Sequence, residues 1–464
     1  MGAPPAIDLQ GLIDKHPVGP YQRRVLLLCL GVLVLDGLDV AMVSFIAPSL
    51  IADWGLDKAE VGPIVTGGLL GLALGSLIGG PLADRFGRRR VIIASMVFFG
   101  LTCAATALAP DVFWFTVLRV ITGLGLGAAL PSATTLVSEF APARRRAALM
   151  AITYCGMTLG AALAGYVTSV AVQVATWHWA LVVGGALPLL YVVLVARTLP
   201  ESPKYLARDD RRRAELAALM DRVVPEPVPA DARFFLDEQA TGSRTRVTGL
   251  VNEPFRLGTA TIWIGFISAF FIVYLMNSWL PILMTDVGFS LTAAATIGLL
   301  LQLGGTVGNV GIGWLMDRFG LHRTMAIGMS CAAVMLVLIA VSPREVVVLG
   351  ALIFVLGMFT NSVATGFPIL SASYYPTAIR ATGTSWATGI ARFGAIGGAA
   401  AGTALVAIGL GYEQVFLVLL LPAALAVVAV TVKGRFARGN EPSARPPGRP
   451  EPDTATTSGR PATD

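Results

Sequence analysis

The sequence predicts an all-α membrane protein: twelve transmembrane helices in two pseudo-symmetric six-helix bundles. Three observations carry that expectation. The 464 residues are 55% hydrophobic and only 13% charged, against roughly 25% charged in an ordinary soluble domain. Twelve apolar runs are each long enough to cross a bilayer as a helix at ~1.5 Å per residue. Features of the first six runs recur in the last six in a nearly constant frame.

Taken in order, residues 1–24 are polar, end in Arg23-Arg24 and are expected on the cytoplasmic side. Span one runs from about Val25 to Leu50 and leads to an outer loop with little positive charge, around Asp53, Asp57 and Lys58. Span two, about Glu60 to Ala83, ends in Asp84-Arg85-Phe86-Gly87-Arg88-Arg89-Arg90, a cytoplasmic turn. Span three, about Val91 to Leu108, reaches an outer turn at Pro110-Asp111. Span four, about Phe113 to Val137, reaches Arg144-Arg145-Arg146 inside. Spans five and six are about Ala147–Val170 and Trp179–Ala196, joined by a turn without Lys or Arg. The first half is thus 25–197.

Residues 198–257 change character, being rich in Arg, Asp, Glu and Pro, and read as a cytoplasmic linker with a surface helix near Arg211–Val223. The second half, 258–433, holds spans at about Gly258–Met284, Leu291–Met316, Thr324–Val341, Val346–Leu370, Ala381–Ile408 and Glu413–Val432. Residues 434–464, full of Pro, Arg, Gly and Thr, are expected to be a disordered cytoplasmic tail. Basic clusters alternate with loops that lack them, so both termini are expected in the cytoplasm.

The same charge pattern argues against nucleic acid as a partner. The net charge is +6, but it sits in short clusters that set topology. Cys29, Cys103, Cys155 and Cys331 all lie in apolar runs without a C-x-x-C pair, which implies neither disulfides nor a metal site. Three histidines without an H-E-x-x-H pattern leave no visible ligand set for a metal enzyme. No nucleophile–base constellation suggests another kind of enzyme. The first apolar run is too long for a cleaved signal segment and should remain as a span.

With an offset of 233 residues, Gly71 falls on Gly304, Gly75 on Gly308, Gly80 on Gly313, Asp84 on Asp317, Arg85 on Arg318 and Gly87 on Gly320. With one residue more, Pro142 falls on Pro376 and Arg146 on Arg380. Two repeats joined by a linker are the build of carriers that rock about a central site. The glycines read as close helix packing. The acid–arginine turns read either as topology signals or as charge clusters that lock the halves in one state.

Span one carries Asp36 and Asp39, three apart and so on one helix face. Each costs roughly 2.5–3.5 kcal/mol at membrane depth. Neighbouring carboxylates in a poorly hydrated place should not both stay ionised, so one is expected to hold a proton. The simpler roles are an ion pair with another helix, or capping a break at Gly37.

At these residues a resemblance is plain. Gly80-Pro81-Leu82-Ala83-Asp84-Arg85-Phe86-Gly87-Arg88-Arg89 resembles the signature loop of the major facilitator superfamily, and Gly313–Gly320 its second copy. Arg119-Val120-Ile121-Thr122-Gly123 is similar to that superfamily's fourth-span motif, and Pro200–Leu206 to the motif after span six. More narrowly, Asp36-Gly37-Leu38-Asp39 followed by Phe45-Ile46-Ala47-Pro48-Ser49-Leu50 resembles the first span of the aromatic acid:proton symporters, as Arg380–Ile396 resembles their eleventh. The resemblance implies that Asp36, Asp39, Asp84, Glu139, Asp317, His322, Arg380 and Arg392 occupy charged positions the family uses. It implies a proton-coupled importer of a small aromatic carboxylate such as 4-hydroxybenzoate, protocatechuate or benzoate. No cofactor is expected, the coupling ion being a proton.

A carboxylate in a dry pocket needs a cation, and Arg119 and Arg392 are the deepest, one in each half. A guanidinium can hold a carboxylate by two parallel hydrogen bonds. Arg392 is the first candidate for substrate; Arg119 is the second, or it pairs with Asp36 or Asp39. Phe266, Phe270 and Tyr274 recur every four residues on one face of span seven and could wall the pocket, as could Trp279 and Trp386. Asn277, Gln302 and Asn361 could meet a ring hydroxyl or join helices. Glu139 could pass the proton inward or bridge to Arg144–Arg146, and His322 reads most simply as a solvated loop histidine. The expected setting is the inner (plasma) membrane, multi-pass, as a monomer. Two other readings stay open: an exporter of drugs or metabolites with the same proton coupling, and a transporter-like sensor.

Overall fold

The computed structural model describes residues 6–57, 60–174, 176–226, 229, 233–235, 255–375 and 377–440. Among the described residues, twelve helices are long and apolar enough to cross a membrane. Span one is Pro20–Trp54, span two Val61–Phe86, span three Arg88–Thr106, span four Val112–Phe140, span five Arg146–Val174 and span six Trp177–Thr198. Span seven is Arg256–Asp286, span eight Leu291–Phe319, span nine Leu321–Val341, span ten Val346–Tyr374 and span eleven Thr377–Ala407. Span twelve is built of Tyr412–Val418 and Leu420–Asn440. Each expected apolar run has its helix, most of them a few residues longer at one or both ends, while span three stops at Thr106, short of the expected Leu108.

The packing repeats as the sequence does. Span one packs on five, two on four and three on six; seven packs on eleven, eight on ten and nine on twelve. The halves meet where spans one, two and five face seven, eight and eleven. A methyl added at Gly71 would lie 2.0 Å from the Val120 carbonyl, and one at Gly304 would lie 1.9 Å from that of Phe354. Methyls added at Gly75 and Gly308 would likewise lie 2.2 Å from the carbonyls of Leu124 and Met358. Small residues therefore let two and four, and eight and ten, approach backbone to backbone.

One residue separates span two from three, and one separates eight from nine. Gly87 (φ 95°) and Gly320 (φ 84°) take left-handed values there, which only glycine adopts readily. Gly87 has a second constraint, since a methyl on it would lie 2.3 Å from the Glu201 carboxylate.

Outside the spans, the polar N-terminal segment holds more structure than its composition suggests. Ala6–Asp8 pairs in parallel with Arg233–Phe235, and Leu9–Lys15 forms a short helix capped by the Asp8 side chain. Leu9 and Ile13, four apart, bury with Leu216 and Met220 of the linker helix Arg213–Val223. That linker helix lies where the sequence predicts it. The expected tail is helical as far as Asn440, and its residues 441–464 lie outside the described ones. Much of the linker beyond Glu226 lies outside them too.

The close approaches make a direct prediction. Gly71→Val or Gly304→Val should lower the thermal unfolding temperature of the detergent-purified protein, since overpacking costs about 1–3 kcal/mol. Gly80→Ala should leave it unchanged or slightly higher, because nothing lies within 4 Å of a methyl there.

Candidate functional site

Span one runs unbroken through Gly37, so neither acid caps a helix break. Gly37 serves close packing instead: a methyl on it would lie 2.1 Å from the Met157 carbonyl of span five. Both acids are fully buried (0% exposed). Their surroundings differ.

Asp39 is held by Arg119 of span four. One guanidinium nitrogen is 3.0 Å from Asp39 Oδ2 and donates to the Asp39 carbonyl at 3.3 Å. The other donates to Oδ1 at 3.2 Å. This two-point pair puts a buried acid and a buried base on each other. Asp36 has no hydrogen-bond partner for either oxygen among the described residues. The cation that acts on it through space is Arg392 of span eleven, with no ion-pair contact within 4 Å.

Arg392 lines a cavity of about 400 Å³ between the halves. It forms no hydrogen bond or ion pair with a described residue, and its charge also acts on Tyr154 of span five and Tyr274 of span seven. Phe266, Phe270 and Tyr274 line the same cavity, as their spacing predicts. Phe270 packs edge-on to Phe266 at 4.7 Å. Trp279 and Trp386 stand elsewhere. The Trp279 indole is buried and donates to the Ala399 carbonyl at 2.8 Å. Trp386 is 43% exposed, on the far side of its helix from Arg392's cavity wall.

The polar side chains of the cavity sit mostly in the second half. Gln302 donates to Asn277 at 3.2 Å, and Asn309 accepts from Thr365 at 2.9 Å. Asn361 joins them on the wall. Thr384, Thr388 and Arg392 share one face of span eleven. Neither Tyr154 nor the two threonines stand out in the sequence reading. The four-residue spacing from Thr384 to Arg392 is the signal that marks them.

The lining extends to Leu130, Met150, Ile369 and Thr384, toward the end that carries Gly87 and Gly320. The opposite end is closed. Gly62 of span two sits against Thr403 of span eleven, Phe45 of span one against Gly298 of span eight. Gln173 donates to Thr292 at 3.2 Å across the same closure. Deeper in, Thr306 donates to Thr158 at 2.7 Å between spans eight and five.

A second charged cluster lies at the Gly87 end. Asp84 accepts from Arg88 at 2.8 Å, and Arg88 is 3.4 Å from Glu139. The Ser202 hydroxyl donates to Glu139. Glu201 accepts from the backbone N–H of Arg89 at 3.1 Å, and the Tyr205 hydroxyl donates to the Arg85 carbonyl at 3.3 Å. Glu139 therefore pairs with Arg88 and Ser202, where the sequence suggested Arg144–Arg146, because span four ends beside the start of span three. These contacts tie spans two, three and four to the segment after span six. Among the described residues they do not reach the second half.

The second copy is barer. Gly80 and Gly313 both face open space. Arg318 lies over the Trp314 ring at 5.3 Å. The side chains of Asp317 and Arg380 lie outside the described residues. His322 is half-buried, with Gly434 of span twelve against it, so it is not a solvated loop side chain.

Comparison with known proteins places this architecture. The model of the Major Facilitator Superfamily matches residues 29–344 and 262–461. The chain belongs to the major facilitator superfamily. It is a membrane transporter of that superfamily and not an enzyme. It is 42% identical over 430 residues to the 4-hydroxybenzoate transporter PcaK of Pseudomonas putida, covering 92% of this chain and 96% of that one. It is 37% identical to a gallate transporter of the same species, over 92% and 95%. Among solved structures, the xylose transporter XylE of E. coli in an inward open conformation superposes with a TM-score of 0.67 at 18% identity, over 90% of this chain and 96% of that one. This last likeness is one of fold.

The Asp39–Arg119 pair can be tested apart from transport. Within this superfamily member Arg119→Gln should lower folded stability by about 3–5 kcal/mol, the usual cost of stranding a buried charge. Adding Asp39→Asn should recover most of that loss. Thermal unfolding of the two single variants and the double variant measures the coupling.

Proposed function

We propose that this protein imports a small aromatic carboxylate of the 4-hydroxybenzoate class together with a proton, by alternating access. One observation carries the reading. Arg392, a guanidinium without an ion-pair partner among the described residues, lines an apolar, aromatic-walled cavity, and the nearby Asp36 has no hydrogen-bond donor among them either. Such a cation suits the carboxylate of an aromatic acid, and the rings of Phe266, Phe270 and Tyr274 suit its ring. The names of the relatives support the same substrate class.

The coupling follows from charge balance. Ionised Asp36 competes with the substrate carboxylate for Arg392. A proton on Asp36 removes that competition and frees the guanidinium for two parallel hydrogen bonds to the cargo. When the cavity opens to the other side, the cargo leaves, Asp36 loses its proton and the carrier resets. Asp39 stays paired with Arg119, which steadies spans one and four around the site. One proton per monovalent anion is electroneutral, so the pH gradient supplies the drive.

The signature loops have a mechanical part in this scheme. Asp84, Arg85, Arg88 and Glu139 hold spans two, three and four to the segment after span six, so that the first half rocks as one body. Asp317, Arg318, His322 and Arg380 occupy the matching end of the second half, with Gly80, Gly87 and Gly313 at the turns. The basic clusters at one end support a cytoplasmic position for that end and for both termini, with the carrier in the inner membrane.

Proteoliposomes and labelled 4-hydroxybenzoate test the scheme. An acid exterior should drive accumulation inward, and an acid interior should drive efflux. Asp36→Asn should keep substrate exchange at equal pH and lose accumulation under the gradient; retained uphill uptake would sink the proposal. Arg392→Ala should abolish binding, and Arg392→Lys should weaken it at least tenfold.

The paired amides allow a finer test. Gln302 and Asn277 use one hydrogen bond on each other and keep further donors and acceptors at the cavity wall. Asn277→Leu should cut the preference for 4-hydroxybenzoate over benzoate by about tenfold or more, as expected when a buried partner for a ring hydroxyl is removed. Competition between the two acids in the uptake assay measures it.

A further inference from the structure

A groove separate from the central cavity runs between spans one and six, at the end where the basic clusters lie. It encloses about 530 Å³. Leu27, Leu28 and Leu194 form its walls, Tyr191 its floor, and Arg23 and Arg24 its mouth. The Tyr191 hydroxyl donates to the Leu28 carbonyl at 3.2 Å, so the polar tip of the floor is satisfied and the surface left to a ligand is apolar. Leu27 is 63% exposed and Leu194 is 48% exposed, which puts this groove on the outside of the bundle. Arg23 and Arg24 are exposed, and neither side chain bonds to an acid among the described residues.

We propose that this groove binds an anionic phospholipid. The phosphate lies on the two guanidiniums, and an acyl chain follows Leu27 and Leu194 toward the middle of the bilayer. Each part of the site needs its part of the lipid. Guanidiniums recognise phosphate oxygens through forked hydrogen bonds, and lipid phosphates stand at this depth. Exposed leucines below them have no role for a free phosphate ion. A neutral, zwitterionic lipid covers the leucines but offers the arginines no net charge. A topology signal alone accounts for two basic residues, and it does not require a groove beside them.

The site bears on transport through its position. Span one carries Asp36 and Asp39 on its inner side, while the lipid would rest against its outer side about two to four turns closer to the N-terminus. Its occupancy would therefore tie the coupling helix to span six.

Native mass spectrometry of the purified full-length protein, titrated with phosphatidylglycerol or phosphatidylcholine, tests the proposal. The wild type should bind one phosphatidylglycerol at least tenfold more tightly than phosphatidylcholine. R23Q/R24Q should reduce that preference to less than twofold. R23K/R24K keeps the positive charge that sets topology but loses the forked geometry, and should weaken binding several-fold. L27W/L194W keeps both arginines and fills an exposed groove without touching the buried core, and should also expel the lipid. Equal affinity for the two lipids would overturn the proposal. So would wild-type binding by both R23K/R24K and L27W/L194W, or displacement of the lipid by an equal concentration of inorganic phosphate, which would mark a simple anion site.

Discussion

The structure depends on where four charges at membrane depth, three buried and one half-buried, find their partners. Two acids on one helix and one arginine from each half come together at and beside the cavity between the halves. A full set of ion pairs would be inert. Here only one pair closes: Asp39 with Arg119, inside the first half. Arg392 acts on Asp36 through space, and the two form no ion pair within 4 Å. An uncompensated charge in such a place is expensive. In the proposed cycle that expense favours a proton on the acid or an anion on the base, and so would join the two events.

Close packing of helix backbones is what allows this arrangement. Glycines at Gly37, Gly71 and Gly304 remove the side chains that would hold helices apart. Each half becomes a set of tightly paired spans, one with five, two with four, three with six, and their counterparts. The interface between the halves is of another kind. It closes at one end through Gly62 on Thr403 and Phe45 on Gly298, and it widens into the cavity toward the other. Rigid pairs within each half and a more limited seam between them are the mechanical conditions for rocking.

The two halves repeat each other in shape more than in chemistry. Gly87 and Gly320 make the same one-residue turn with nearly the same backbone angles. Around Gly87 the chain gathers Asp84, Arg88, Glu139, Glu201 and Ser202 into one bonded cluster. Around Gly320 a methyl group would meet nothing within 4 Å. The cavity is asymmetric as well, with most of its amide and hydroxyl groups on spans seven, eight, ten and eleven.

Hydropathy and charge are properties of neighbouring residues, so the sequence by itself determined the twelve spans, their repeat and the glycine turns. It also marked Asp36, Asp39, Arg119 and Arg392 as charges too deep to be casual, since the cost of burial belongs to the residue type. Which acid takes which arginine was left open, because that depends on how each helix is rotated and how closely its neighbour approaches. The same cause separates Trp279 and Trp386, alike on paper, from the rings that line the cavity. It gives Glu139 to Arg88 and Ser202, and not to the arginines nearest in the chain. It also reveals Tyr154, Thr384 and Thr388 as wall residues and turns the polar N-terminal segment into a helix on the linker. Tertiary structure decided each of these, for one physical reason. A side chain's partner is chosen across helices, and backbone packing many residues away sets the angle at which it points.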